Sequence, residues 1–346
     1  PPSAGVPDRS IAERGSRPSL PEQKDGPHGL RWWRGDLHMH TVHSDGDWSI
    51  PELISSAHST GLDFIFITDH NTASHHEEIN RVSKGLKQPL VLRGEEITTY
   101  GGHTNAWGLP SGTWIDFRSR PGDNARMSKI VADAHRAGAI ISINHPFAAC
   151  GGCSWSYPAA VRNFDAIEVW NGSWDQSDEP ALKMWDEILQ SGGRITAIAS
   201  SDSHRAVNPI GQPTTHVAAK NLSQPLLLEA IRRGHVYLTD KAAGAVINLE
   251  AEVATSKLRT RFTIGDEIHL RAPGTIRFRI ATEAVPTDAT ISLISNGRVV
   301  HSFSAGASWQ VIEIRCEQDS YFRVEIRDQT KSVLALTNPI YIKVRR

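Results

Sequence analysis

Between Trp32 and about Leu238 the chain alternates short β-rich runs with helix-period segments, and this alternation limits its folds more than any other feature. The strand-like "RWWRGDLHMH" leads to "SIPELISSAHSTG", where Ser49 reads as an N-cap, Pro51 sits in the first turn and Gly61 terminates. "DFIFITDHN" and "LVLRGEEITTY" are near-continuous apolar runs that end in polar residues. The helix "MSKIVADAHRAG" precedes "AIISINHP", "FDAIEVWNG" precedes the helix at "PALKMWDEILQSGG", and "ITAIASSDSH" and "THVAAKN" follow. Strands apolar on both faces and separated by helices predict a parallel sheet, open or closed. About seven such units suit a barrel better than a doubly wound sheet.

The polar residues recur where a parallel α/β fold builds its active site, at the C-terminal strand ends. "RGDLHMHTVHSDGDWS" carries His38, His40 and Asp45, and "TDHN" carries His70. "GEEIT" carries Glu95 and Glu96, and "GGHTNAWGL" carries His103. "NHP" carries His145, and "SDSH" carries Asp202 and His204. H-x-H on an extended segment points both imidazoles to one side, and D-x-H does the same. So many acids and imidazoles in one low-dielectric mouth would perturb each other's ionisation heavily. Divalent ions relieve that conflict, because neutral imidazole and carboxylate are their ordinary ligands. His43 lies on the opposite parity from Asp45 and is left out of the ligand set. His58, His75, His76, His135, His216, His235, His269 and His301 read as structural.

After about Ala245 the pattern becomes period-two, with Asn296-Gly297 as a hairpin signal, so a small antiparallel β domain is expected. The expected organisation is a tail over 1–30, a metal-binding α/β domain over 31–243 and a β-sandwich-like domain over 244–346. Residues 1–30, rich in Pro, Ser, Gly and charge, read as a wrapped tail of a mature form, which favours a periplasmic or secreted location over a cytoplasmic one. Lys plus Arg total 37 against 38 Asp plus Glu, which argues against a surface built for nucleic acid or anionic membrane. No apolar run approaches the ~20 residues of a membrane span. The three cysteines, Cys150, Cys153 and Cys316, form no disulfide framework; "CGGC" reads either as a small disulfide or as two free thiols.

These motifs, in this order, resemble the PHP (polymerase and histidinol phosphatase) metallohydrolases over residues 32–240. "WWRGDLHMHT" and "ALTNPIYI" are similar to the carbaryl-hydrolase-like CehA/McbA branch. The resemblance implies a distorted seven-stranded β/α barrel holding two to three divalent ions, with Zn, Mn and Fe all admissible. It places one ion at His38, His40, Asp202 and a bridging Glu96, and a second at Glu96, His103 and His145. A third falls to Asp45, His70 and His204. Family members set the glutamate two residues after the glycine, hence Glu96 rather than Glu95; strand parity says only that one of the pair faces the site.

Hydrolysis by a metal-activated hydroxide follows, with His38, His40, Glu96, Asp202 and His204 nearest the chemistry. Two substrates compete. A phosphoesterase needs cations to hold phosphate oxygens, and the motif loops offer little beyond Arg205, Arg34 and Arg93. They are richer in indoles: Trp107, Trp155, Trp170 and Trp174, some of which are expected in the core. An aromatic mouth, together with the branch resemblance, favours a small aryl carbamate or ester over a phosphate ester. Trp107, Trp155, Trp170, Trp174 and Arg205 are therefore the expected substrate contacts, in a chain that could form a homo-oligomer. A dead metal-binding module would have lost ligands, and all of the positions named above are present.

Overall fold

The structure is a computed structural model that describes residues 17–20, 29–254, 259–306 and 309–345. Most of the expected 1–30 tail lies outside the described residues. β1 (Arg31–Asp36), β2 (Phe64–Ile67) and β3 (Leu90–Thr99) run parallel, with α1 (Ile50–Thr60) and α2 (His75–Val82) in the crossovers. α1 begins in a capping box: the Ser49 hydroxyl accepts the Glu52 N–H while the Glu52 carboxylate accepts the Ser49 N–H. Gly61, at φ 86°, ends the helix in a left-handed cap. Ile50, Leu53, Ile54 and Ala57 form the buried face between these signals.

At Tyr100-Gly101 the chain turns straight back into β4 (Gly102–Trp107), which pairs antiparallel with β3. α3 (Asn124–Arg136) then leads to β5 (Ile140–Asn144), antiparallel to β4. β6 (Ala166–Asn171), α4 (Asp178–Gln190) and β7 (Thr196–Ser200) restore parallel pairing. β8 (Thr214–Ala219), α5 (Gln224–Arg233) and β9 (Val236–Thr239) follow, and β8 pairs antiparallel with both β1 and β9. The wholly parallel sheet expected from the sequence is thus corrected to a mixed one. A two-residue turn after β3 is too short for a parallel crossover, so the next strand must reverse.

The ladder runs β9-β8-β1-β2-β3-β4-β5-β6-β7. Its far strand returns to β8, where the Thr215 hydroxyl donates to Ala199 O at 2.6 Å and accepts the Ala199 N–H at 3.0 Å. The sheet therefore curves on itself, and a side chain rather than a strand ladder stitches this seam. Asn338 adds a second stitch. Its Oδ1 accepts the Ala197 N–H, and its Nδ2 donates to the carbonyls of Ala197 and Val236. Phe64, Phe66, Ile97, Trp107, Ile141 and Val169 are among the buried residues of the core this sheet shares with its helices.

The remaining strands are β10 (Val246–Ala254), β11 (Arg259–Thr263), β12 (Glu267–Leu270), β13 (Gly274–Glu283), β14 (Thr290–Ser295), β15 (Arg298–Ser304), β16 (Gln310–Cys316), β17 (Ser320–Arg327), β18 (Val333–Thr337) and β19 (Ile340–Val344). One sheet has the order β11-β10-β13-β16. The others continue the large sheet, because β18 pairs with β9 through Ala335–Thr239, Leu336–Leu238 and Thr337–Tyr237. Ile280 and Phe278 of the first sheet pack with Val324 and Phe322 of the second. The β-rich C-terminal part is joined to the α/β part by a strand ladder. Among the described residues no helix is long and apolar enough to cross a membrane.

Candidate metal centre

One rim of the curved sheet collects nearly every polar residue singled out above. His38 and His40 follow β1, His70 follows β2, His145 follows β5, and Asp202 and His204 follow β7. His103 reaches the same rim from the start of its strand, because β4 runs antiparallel and begins where its neighbours end. Single parallel bridges, Met39 with Ser203 and His70 with Glu96, draw the strand-end loops together. Asn71, His145 and Asp202 hold positive φ values of 51°, 24° and 50°. Non-glycine residues rarely adopt that region, and here it turns the backbone sharply at the point where the side chains must face inward.

The two oxygens of Glu96 face different partners. Oε2 lies 3.3 Å from His38 Nε2, 3.4 Å from His40 Nε2 and 2.9 Å from His70 Nδ1. Oε1 lies 3.2 Å from His103 Nδ1 and 3.3 Å from His145 Nε2, and it accepts the Asn144 amide at 3.0 Å. Asp202 Oδ1 sits 3.0 Å from His40 Nε2 and 3.3 Å from His38 Nε2. A third group has Asp45 Oδ1 3.5 Å from His70 Nε2 and 3.3 Å from His204 Nε2. Glu95 points to the other face of β3, where its carboxylate accepts the Ile115 N–H at 2.7 Å. Burial pushes Glu95 up to about 8.

Burial alone would push His38 down, but Asp202, Glu96 and Glu168 carry it well above the usual imidazole range. Burial opposes His145 and His70 too, and the nearby carboxylates raise both. Burial would raise Glu96 and Asp202; the imidazoles hold both well below the carboxylate range. For His40 burial prevails and lowers it. Such charge crowding is what a bound cation would relieve. A second observation concerns lone pairs. His38 Nε2 and Glu96 Oε2, 3.3 Å apart, are both buried without a well-formed hydrogen bond, and so is His103 Nδ1 beside the other Glu96 oxygen. Unpaired buried polar atoms are rare in folded proteins, and this donor set fits divalent metal ions.

Residues beyond the motif reading set these rings. Glu168, buried on β6, stands 3.2 Å from His38 Nδ1, and an ionised carboxylate can only accept, so the proton is assigned to Nδ1. His38 Nε2 is then left bare toward Glu96 and Asp202. The other Glu168 oxygen accepts the His145 N–H and the Asn171 amide. His204 Nδ1 donates to Asp202 O at 2.8 Å, which frees its Nε2 toward Asp45. Asp69 accepts from the Thr41 N–H, the Thr41 hydroxyl and the Ser44 hydroxyl, pinning the loop that presents Asp45. Asp36 accepts the N–H groups of Ser201 and Gly211 and ties β1 to the Asp202 loop. Glu168 sits singly inside an apolar run, and a lone buried carboxylate on a strand was the one signal for it. His43, left outside the ligand set, contacts Ser74 and Glu78 instead.

Beside the cluster opens a cavity of about 980 Å³. Asp45, His70, Glu96, His103, His145, Asp202 and His204 line it on one side. Arg118 and Arg120, from the segment between β4 and α3, line it too, as do Arg126 in the first turn of α3, Phe117, Tyr100 and the Cys150–Cys153 disulfide. The expected substrate contacts are not among the lining residues. Trp107 is fully buried and donates to Leu37 O at 2.8 Å. Trp170 is buried edge-on against Trp174, over which Arg327 lies. Trp155 packs against Tyr157 and Phe164 and covers Gly102, where a Cβ would stand 2.6 Å from the indole. Arg205 pairs with Asp47 outside the cavity. Large indoles yield most by filling the layers between strands and helices, so nearness to a ligand in sequence did not place them on the mouth.

No protein-family model matches this sequence, and no curated protein matches it. Among solved structures it is similar to a two-domain protein from Bacteroides vulgatus described as containing a predicted PHP-like metal-dependent phosphoesterase. That match has 17% identity and a TM-score of 0.55, and covers 94% of this chain and 99% of the other. An amidohydrolase from Chromobacterium violaceum matches with 16% identity and a TM-score of 0.37, covering 52% of this chain and 90% of that one. The first likeness shows a shared fold: this chain folds, over nearly its whole length, as that two-domain PHP-like protein does.

Proposed function

We propose that this chain is a metal-dependent hydrolase that cleaves a small phosphate ester. The observation that carries the reading is Glu96, whose two oxygens address two separate groups of imidazoles, as a carboxylate shared by two cations requires. In this reading His38, His40, Asp202 and Glu96 would hold one divalent ion, and Glu96, His103 and His145 would hold a second. Asp45, His70 and His204 would hold a third. Bound ions would lower the pKa of a coordinated water toward ~7 and polarise the bond under attack.

The chain's own residues do the rest. Glu168 keeps His38 in one tautomer, and His204 is oriented by the Asp202 carbonyl. Arg120, whose guanidinium has no hydrogen-bond or ion-pair partner among the described residues, stands on the cavity wall where phosphate oxygens would lie. Arg126 is braced by the Arg118 and Asp116 carbonyls and by the Asp116 carboxylate. This cationic wall moves the preference from the carbamate expected above to the phosphate ester. The description of the Bacteroides protein as containing a phosphoesterase points the same way.

Tyr100 and Phe117 on the same cavity favour an aryl leaving group, and they are what supports an aryl carbamate or ester as the second reading. A side-by-side assay of metal-quantified protein on p-nitrophenyl phosphate and 1-naphthyl N-methylcarbamate separates the two. The expected result is phosphate ester cleavage that a chelator abolishes and added divalent metal restores. Carbamate turnover without phosphate turnover would reverse the ranking.

A further inference from the structure

The "CGGC" loop is not part of the ligand pattern, yet the fold lays it on the Thr99–Gly102 turn, beside His103 and His145. Cys150 and Cys153 both line the cavity and are joined by a disulfide. Their surroundings differ sharply. Cys150 is exposed, whereas Cys153 is 3% exposed. The Cys153 sulfur and one ring nitrogen each of His103 and His145 lie within 4.8 Å of one another, close enough to share one metal ion. His145 faces Glu96 through Nε2, and its Nδ1 is buried with no hydrogen-bond partner, so a lone pair or proton there is unassigned within the protein.

The geometry points to a redox-dependent metal ligand: on reduction of the disulfide, Cys153 becomes a thiolate donor to the ion at His103 and His145. This rests on the reading of those histidines as metal ligands. The asymmetry in exposure sets the course of the exchange. A thiolate of an external dithiol attacks the exposed Cys150 sulfur and forms a mixed disulfide. The Cys150–Cys153 bond breaks, and its electron pair leaves on Cys153, directly beside the two imidazoles. The second thiol of the reductant loses its proton and attacks its own sulfur in the mixed disulfide, leaving the reductant as a cyclic disulfide. Cys150 departs as a thiolate and takes a proton from solvent. Two electrons enter the protein; of the two dithiol protons one ends on Cys150 and one in solvent. Thiolate is a softer donor than imidazole or carboxylate, so the reduced site would favour zinc or cobalt over manganese.

Cobalt(II) is the probe, because thiolate ligation adds an intense near-ultraviolet charge-transfer band to the visible ligand-field absorption. Cys150→Ser leaves Cys153 free without any reductant, and Cys153→Ser removes the donor while keeping the buried Cys316 as a control. The expected result is the band in cobalt-loaded Cys150→Ser and its loss in Cys153→Ser. Oxidised wild-type protein should lack it and gain it after treatment with dithiothreitol and removal of the reductant. If Cys150→Ser fails to fold, reduced wild-type protein gives the same reading. Visible cobalt absorption without the near-ultraviolet band would overturn the inference and leave the histidine and carboxylate site intact. Absence of both absorptions would overturn the metal reading as well.

Discussion

At the scale of single residues, the site was legible where a ligand type repeats at a strand end and illegible where one residue acts alone. H-x-H at 38 and 40 and D-x-H at 202 and 204 announce themselves, because alternate residues of a strand share a face. Glu168 and Asn144 have no such partner in the sequence; only the folded sheet brings them to His38 and Glu96. Parity left Glu95 and Glu96 equal alternatives, and the fold separates them by sending Glu95 to the Ile115 N–H. Because Glu168 fixes the His38 tautomer, Glu168→Gln should weaken metal retention by about 10–100-fold. The check is a competitive chelator titration, and an unchanged affinity would show that His38 is held without it. His76 offers a pH test. Its Nε2 donates to Gly94 O and its Nδ1 accepts the Gly112 N–H, so the neutral ring satisfies both contacts. Burial, then the neighbouring His75, pushes it down to about 4. The unfolded chain binds a proton there near 6.5, so this contribution is complete above pH ~6.5 and is lost as the pH falls toward 4. The Tm of wild-type protein should fall more steeply across that window than that of His76→Asn; parallel curves would contradict the assignment.

At the scale of elements, alternation of apolar runs and helix periods correctly located most strands, but not their directions. Direction depends on the connection, and the reversal after β3 turns on Tyr100-Gly101 alone. That reversal also explains why His103, at a strand start, shares a rim with residues at strand ends. The segment between β4 and α3 and the first turn of α3 carried no motif, yet together they supply Arg118, Arg120 and Arg126 to the cavity. The indoles near the ligands, in contrast, pack into the layers behind them. Arg120→Ala should raise the KM for p-nitrophenyl phosphate by about tenfold, the ~1.4 kcal/mol expected of a charge-assisted contact, with metal content unchanged. The wild-type KM should rise with ionic strength, because exposed charges are screened. Salt-insensitive binding that is indifferent to Arg120 would remove the arginine wall from the account.

At the scale of the whole molecule, the β-rich C-terminal part braces the sheet that carries the site. β18 extends the large sheet from β9, and Arg323 on β17 pairs with Asp186 of α4 and with Glu325 at 2.7 Å each. "ALTNPIYI" holds Asn338, whose amide stands in for a missing strand partner along β7. Asn338→Ala would leave buried backbone groups of Ala197 unpaired, at a cost of about 2–4 kcal/mol, and should lower the Tm by several degrees. A Tm equal to wild type would show that the seam does not depend on it. The period-two pattern disclosed that these strands exist, but not that they extend the larger sheet from β9, since strand partners are chosen by packing rather than by local sequence. If the Glu96 carboxylate joins two cation positions, its loss must change how many ions the chain retains. Glu96→Gln, Glu95→Gln and wild-type protein, each loaded with the same divalent metal and desalted, would be quantified by elemental analysis. The expected result is more than one ion per chain in wild-type protein and in Glu95→Gln, and a loss to one or none in Glu96→Gln. Wild-type stoichiometry in Glu96→Gln, or equal losses in both variants, would contradict it.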